Sequence, residues 1–369
     1  MTVPTLGTLS GRKLITDLQS MGLQIGEQTG GISRKGGAGP SDHKTITIAG
    51  QTIMVPVFTA GAQRSPFQAS LPDQSGSSVL QRDGQTLGII HFPSAPRFYG
   101  LSTADGIPYW KIALLHGRDT LATTVHQTCI RYADRRTSCQ FCAIGQSLEA
   151  DRTIAYKTPA QLAEVAKAAV ELDGVRDMVL TTGTPNVIDR GAAVLAESAR
   201  AIRAAVDLPL QVQCEPPRDH DWFGRLRDAG ADSLGMHLEA ATQVVREKIM
   251  PGKATVSVER YMEAFASAVP VFGRGQVNTY LLAGLGDSAE DILALAERLI
   301  ALGVYPFVVP FVPISGTPLE NHAPPSADFM KSVLAPLGRM LREANMKSTD
   351  IRAGCGRCGA CSSLSAYES

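Results

Sequence analysis

The sequence has no net charge: 35 Lys and Arg are matched by 35 Asp and Glu in 369 residues. Without a field of one sign there is nothing to hold a polyanion, so nucleic acid is not the default partner. A long apolar run is also missing. The longest uncharged one, ALGVYPFVVPFVPI over 301–314, carries three prolines and falls short of the ~20 residues of a bilayer-spanning helix, so no membrane partner is expected. Nor does an apolar leader open the chain, because MTVPTLGTLSGRKLITDLQSMG places Lys, Arg and Asp where a signal peptide needs hydrophobic residues. These features together predict a cytoplasmic protein. No internal repeat is present. Cysteine is scarce, with seven in all, and a reducing cytoplasm makes structural disulfides between them improbable.

What the sequence does have is enough apolar material, 44% of its residues, for one large core or two ordinary ones. Six of the seven cysteines fall into two triplets, Cys129/Cys139/Cys142 and Cys355/Cys358/Cys361, with Cys214 alone between them. Clustered thiols in a reducing compartment usually hold metal.

Residues 1–105 are rich in Gly, Ser, Pro and Gln, with short apolar stretches such as KTITIAGQTIMVPVF (44–58) and LGIIHF (87–92) that read as strands and turns. TGGISRKGGAGPSD (29–42) reads as a flexible loop. From about residue 120 the pattern becomes strand, turn, helix, repeated. Strands are expected at 120–127, 177–183, 209–215, 232–239, 276–285 and 306–314, with helices at 158–172, 190–205, 219–229, 241–250, 256–268, 288–302 and 326–344. Thr158 followed by Pro159 marks one helix start. Apolar β-rich runs that alternate with helices suit a parallel sheet, and six such units suggest an open barrel whose site lies in the loops after the strands. The extension over 1–105 is expected to cover the mouth of that barrel. Cys129, Cys139 and Cys142 fall in the loop after its first strand.

Three thiolates fit a 4Fe-4S cube whose fourth iron stays open. A zinc site with His126 as fourth ligand and a set of free thiols remain the alternatives at this point. The stretch Cys139-Gln140-Phe141-Cys142, placed after the first strand of a six-unit β/α chain, resembles the signature of the radical S-adenosylmethionine (SAM) superfamily. The fold class implied is α/β, a partial (β/α)6 barrel of radical SAM type over residues 106–325. A β-rich extension over 1–105 precedes it, and a C-terminal helix with a cysteine-rich tail over 326–369 completes the chain. The resemblance implies that Cys129, Cys139 and Cys142 bind a 4Fe-4S cluster and that SAM chelates the open iron. One electron, from a donor such as flavodoxin or ferredoxin, then cleaves SAM to a 5′-deoxyadenosyl radical that takes hydrogen from a small-molecule substrate. The usual spacing is C-x3-C-x2-C, whereas this chain has C-x9-C-x2-C; only a loop is lengthened.

Later stretches resemble further motifs of the biotin and lipoyl synthases. LTTGTP (180–185) occupies the place of the GGE motif, so Thr182, Gly183 and Thr184 are implied at the SAM amino group, without the glutamate. LGMHLEAATQVVREKIMPGKATVSVERY (234–261) is similar to the fourth-strand region, which implies His237 and Glu239 near the ribose and Arg260 at the SAM carboxylate, with Arg246 as its competitor. A carboxylate suits a diol and a guanidinium suits a carboxylate. YLLAGLGDSAEDI (280–292) resembles the adenine-contacting segment and implies Gly284, with Gly286, as the close approach. VPFVPISGTPLE (309–320) resembles the sixth-strand ending. Phe141 is implied to lie against adenine.

The tail CGRCGACSSLSAYES reads as a second, auxiliary Fe-S cluster at Cys355, Cys358 and Cys361, with a half zinc site or a loose thiol tail as alternatives. Ser362, Ser363, substrate, or Cys214 if the tail folds over the barrel mouth, are its candidate fourth ligands. Neighbours in a strand point oppositely, so one of Cys214 and Glu215 faces the interior. Glu215 is expected as the polar contact and Cys214 as core. Overall the chain resembles radical SAM proteins encoded beside nitrilases in bacterial gene clusters, which suggests a small nitrogenous metabolite. A lipoyl synthase-like sulfur-inserting transferase and a non-catalytic zinc-stapled binding module are the rival readings.

Overall fold

The computed structural model describes residues 9–26 and 42–368, and residues 29–41 of the glycine-rich stretch lie outside them. Two sheets organise the chain. The first is antiparallel, with strands β1 (His43–Ile48), β2 (Gln51–Pro56), β3 (Phe67–Ala69), β4 (Ser77–Arg82) and β5 (Gln85–His91) in the order β2-β1-β5-β4-β3. The run 44–58 is therefore a hairpin, with Ala49 and Gly50 at positive φ in its turn. A helix, Leu9–Met21, was not expected from the sequence. Its Ile15 and Leu18 pack with Ile46, Ile53, Val55, Phe67 and Ile90 into a small core of their own.

The second sheet has seven strands: β6 (Leu114–His116), β7 (Thr120–Thr124), β8 (Asp177–Thr181), β9 (Leu210–Gln213), β10 (Ser233–Gly235), β11 (Val277–Ala283) and β12 (Val304–Pro310), ordered β12-β11-β10-β9-β8-β7-β6. The strands β7 to β12 are the six expected ones, and all pair in parallel. Strand β6 adds an antiparallel edge. The sheet curls into a partial barrel, which is the expected α/β class. Helices cover its outer face at Pro159–Asp173, Ala192–Ala205, Asp221–Asp228, Val258–Phe272 and Ala289–Leu302. Their starts are fixed locally: Thr158 and Ser288 form capping boxes with Gln161 and Asp291, and Pro159 occupies a first-turn position where its missing N–H costs nothing. Every residue of β9 and β12 is buried, as a sheet covered on both faces requires.

Strand β12 lies at the edge, and it contains Pro306 and Pro310. A parallel strand sends the N–H and C=O of one residue to the same side, so Val304, Pro306, Val308 and Pro310 share a side. Ser362 Oγ donates to Val308 O at 2.6 Å, which identifies that side as the outer one.

The tail enters at the foot of the sheet. Gly354 N–H donates to Asp177 Oδ2 at 2.6 Å, and Arg357 Nη1 donates to Asp177 Oδ1 at 2.9 Å and to Asp119 Oδ1 at 3.1 Å. Asp177 opens β8, so the second cysteine triplet approaches from the amino-terminal ends of the strands and not over the mouth. The amino-terminal unit meets the tail there: Met54 N–H and Gln19 Nε2 both donate to Ala360 O, at 2.8 and 3.0 Å, and Thr16 and Ser363 share a hydroxyl contact of 2.7 Å. The expected cover therefore lies over the tail. No helix among the described residues is long and apolar enough to cross a membrane.

Candidate functional site

One cavity of about 340 Å³ runs through the curled sheet, and both cysteine triplets line it. Its wall follows the strand alternation, with Ala122 from β7, Val179 and Thr181 from β8, Gln213 from β9, and Tyr280 and Leu282 from β11. Cys129, Cys139 and Cys142 lie beyond the carboxyl ends, on the loop that leaves β7. Three backbone bonds tie that loop to the end of β8: Val125 N–H to Thr181 O, Gly183 N–H to His126 O and Ile130 N–H to Thr184 O, at 2.8, 2.8 and 3.0 Å. Gly183 has a structural reason to be glycine, since a Cβ there would stand 2.1 Å from Thr128 O, one residue before Cys129. Cys142 N–H donates to Cys139 O at 3.0 Å, which turns the last two thiols into one tight bend. All seven cysteines are free. Burial pushes the Cys142 thiol up to about 12, and burial with Glu239 nearby raises Cys139 as well; both are poor nucleophiles until a cation compensates their thiolates.

Phe141, Thr182, Gly183, Thr184, Glu215, His237 and Glu239 all line the cavity. Phe141 also packs against the small apolar cluster of Ile249, Met250, Leu285 and Phe311. Thr184 Oγ1 donates to Glu215 Oε1 at 2.5 Å, and Arg131 Nη1 forms an ion pair with the same oxygen and donates to Thr184 Oγ1 at 3.3 Å. The other oxygen, Glu215 Oε2, is buried without a hydrogen-bond partner among the described residues. A buried orphan carboxylate oxygen beside a guanidinium is the strongest sign of a polar ligand here. Cys214 also lines the cavity while packing in the main core.

On the opposite wall Lys253 Nζ meets Glu239 Oε2 at 2.8 Å, with side chains 12% and 17% exposed. Burial opposes the Lys253 charge, but Glu239 and then other acidic neighbours outweigh it and hold the ammonium protonated. Glu239 has φ +66, a left-handed conformation unusual outside glycine. Its backbone is held there by the pairs Glu239 N–H to Tyr280 O and Leu282 N–H to Glu239 O, at 2.8 and 2.7 Å.

His237 Nδ1 accepts from Tyr280 N–H at 3.2 Å, so the neutral ring carries its proton on Nε2. Burial, and then the Lys253 charge, lower its pKa from 6.5 to about 3. An unfolded His237 takes a proton near 6.5 while the folded one refuses it down to about 3. Stability from this group is thus complete above pH 6.5 and lost progressively as pH falls toward 3. The loss reaches at most about 5 kcal/mol, one pKa unit being worth about 1.4 kcal/mol. The melting temperature of His237→Gln is expected to fall less steeply between pH 7 and 4 than that of the native chain; parallel curves would contradict this.

Two expected residues lie elsewhere. Arg260 is outside the cavity, on an exposed helix face, paired at 2.6 Å with Glu263, their side chains 49% and 58% exposed. Its position three residues after the cap Ser257 turns it to solvent. The competitor Arg246 is fully buried, but it donates to Leu238 O and Val256 O and lies over Tyr261, bracing backbone. Gly284 does not line the cavity. Pro325 fills the space where its side chain would be, at 2.9 Å, and His322 Nε2 lies 2.8 Å from its carbonyl oxygen. His126 also turns away, toward Thr128 Oγ1 at 2.8 Å and the edge of Tyr156. The sequence reading missed Arg131 and Lys253, which among the described residues are the Arg and Lys side chains lining the cavity.

At the other end, Cys355 accepts from Gln213 Nε2 at 3.1 Å, and Tyr280 lines the cavity beside the triplet, where burial and the neighbouring thiols raise its hydroxyl pKa. Burial lifts Cys355 to about 11 and Cys358 to about 12. Among the described residues no three His, Cys, Asp or Glu side chains converge at the spacing of a single metal ion.

Residues 134–299 match the radical SAM superfamily. The chain is 26% identical over 212 residues to bacteriochlorophyllide c C-7(1)-hydroxylase of Chlorobaculum limnaeum, covering 52% of each. It is 22% identical to the lipoyl synthase of Oceanobacillus iheyensis over 48% of this chain and 52% of that one. A dual-specificity RNA methyltransferase RlmN of Solidesulfovibrio magneticus is 29% identical over 35% of this chain and 37% of its own. The chain thus spans about half or less of the length of these relatives. The solved methylornithine synthase (PylB) superposes with a TM-score of 0.49 at 18% identity, over 67% of this chain and 69% of that one.

Proposed function

Since the chain carries a radical SAM domain, we propose that it is a cytoplasmic enzyme that cleaves SAM reductively at Cys129, Cys139 and Cys142 to act on a small, nitrogenous metabolite. The observation that carries this reading is the orphan Glu215 Oε2 beside Arg131, in the same cavity as the three thiols. The thiols fit a 4Fe-4S cube, being free, bent into one loop and facing a common space. When bound, that cluster supplies the single electron, drawn from flavodoxin or ferredoxin, that makes SAM a source of the 5′-deoxyadenosyl radical.

The protein's own residues do the binding. An α-amino acid head carries an ammonium and a carboxylate on one carbon, and the Arg131–Glu215 pair presents the complementary charges side by side. Glu215 Oε2 accepts from the ammonium, and the free nitrogens of Arg131 take the carboxylate, the role the resemblance gave to Arg260. Thr184 donates to Glu215 and so fixes a carboxylate from the third parallel strand in place of the glutamate missing after the second. Glu239, held by Lys253, accepts from the ribose diol. Cys355, Cys358 and Cys361 hold an auxiliary Fe-S cluster at the far end of the same chamber.

Protein purified without oxygen is expected to be brown, with about eight iron and eight sulfide per chain for two cubes, and to release 5′-deoxyadenosine from SAM with dithionite. Protein lacking iron and sulfide, or a loaded protein that leaves SAM intact, would overturn the reading. Because the second triplet opens on the substrate chamber, sulfur insertion is the one rival with structural support. Loss of sulfide from the auxiliary site with each product formed would establish it in place of an oxidoreductase or mutase.

A further inference from the structure

We infer that His116 is the fourth protein ligand of the centre at Cys355, Cys358 and Cys361, closing it with three thiolates and one imidazole so that no iron there is left for substrate. This rests on the auxiliary cluster proposed above. The ring lies with one nitrogen toward each of two thiols: Nδ1 is 3.4 Å from Cys358 Sγ and Nε2 is 3.6 Å from Cys361 Sγ. The next residue makes the approach possible. Gly117 has φ +60, and a Cβ on it would stand 2.7 Å from Cys358 Sγ and 3.1 Å from Ala360 Cβ. Strand β6 and the tail are thus fitted to each other at this point, with His116 on the contact.

Other polar groups near the triplet are committed elsewhere or are weak ligands. Ser362 Oγ donates to Val308 O, and its oxygen also accepts from Leu364 N–H at 3.1 Å. Ser363 is engaged with Thr16. Gln213 offers Cys355 an amide N–H, which suits a sulfur acceptor and not a metal. Cys214, one residue past the end of β9, lines the same cavity but packs in the main core. Of the groups that touch these thiols, the His116 imidazole is the strongest donor for iron, and mixed His and Cys ligation raises a cluster's potential relative to all-Cys ligation.

The test uses the full chain with Cys129, Cys139 and Cys142 changed to Ala, so that the auxiliary site is the only one, and it needs no turnover. With 15N-histidine labelling, pulsed EPR of the reduced cluster is expected to show a directly bound nitrogen, and that coupling should vanish in His116→Ala. His116→Cys guards against misfolding: it should keep the iron, lose the nitrogen coupling and lower the midpoint potential. An intact cluster with no histidine nitrogen, or one whose coupling and potential are unmoved in both variants, overturns the assignment while leaving the auxiliary cluster standing. A parent that binds no iron, or one zinc in its place, overturns the auxiliary cluster itself and the assignment with it.

Discussion

Replacing Cys129, Cys139 and Cys142 with Ala is expected to reduce 5′-deoxyadenosine formation to background while about half of the iron remains, one cube of two being lost. The effect is expected to be all or none because three thiolates are the minimum that leaves one iron open, and each single change should do nearly as much as all three. The far triplet gives the converse. Changing Cys355, Cys358 and Cys361 should also remove about half of the iron, yet leave SAM cleavage detectable, because Glu215, Arg131 and Lys253 belong to the other end of the chamber. Iron and 5′-deoxyadenosine measured on the same preparations check both. Full iron after the second triple change would remove the auxiliary cluster, and surviving cleavage after the first would remove the proposed chemistry.

The second large effect is expected at Lys253. Lys253→Met strands the Glu239 carboxylate, 17% exposed, against an apolar side chain, and breaking such a pair from one side costs about 3–5 kcal/mol. Removing both partners is much gentler, so Lys253→Met combined with Glu239→Leu should recover most of that stability. Binding should separate from folding at this point. If Glu239 takes the ribose, the double variant melts almost normally but binds SAM more than about tenfold more weakly, one charged hydrogen bond being worth about 1.5–3 kcal/mol. Calorimetric unfolding together with SAM titration of the loaded protein distinguishes the cases. A double variant with native SAM affinity would show the pair to be purely structural.

Much of the fold is legible in the sequence because it is written locally. The six parallel strands are short apolar runs bounded by caps and glycines, and Thr158, Ser288 and Gly303 mark helix ends where the structure has them. Other elements carry too little signal. Strand β6 has three residues, too few for an alternation to register. The helix Leu9–Met21 carries an apolar stripe of Leu14, Ile15, Leu18 and Met21, but it lies in a segment whose Gly, Ser, Pro and Gln content reads as strands and turns, and the stripe finds its partner only in the antiparallel sheet.

The site divides along the same line. The thiols and the Thr182 to Thr184 turn belong to contiguous motifs and are visible as such. Arg131 is one of three arginines within six residues of the first cysteine loop, and nothing local sets it apart from Arg135 and Arg136. What selects it is the fold, which brings Glu215 from the third parallel strand against it. Arg260 illustrates the reverse: its distance along the chain matches a known motif, but the helix cap at Ser257 fixes a phase that turns it to solvent. His116 stands alone in the sequence, more than two hundred residues from the thiols it meets, and only the route of the tail under the sheet brings them together.

The outer side of β12 has a consequence for how copies of the chain behave toward each other. A barrel left open exposes a seam along which another protein's strand can add. Here two of the four positions on that seam have no hydrogen to offer, because Pro306 and Pro310 stand there, and the carbonyl between them is occupied by Ser362. An incoming strand would find no N–H at two of these four positions and the Val308 carbonyl already engaged. This edge is thereby a poor template for a further strand, and the proline that normally disrupts a sheet serves here to terminate one.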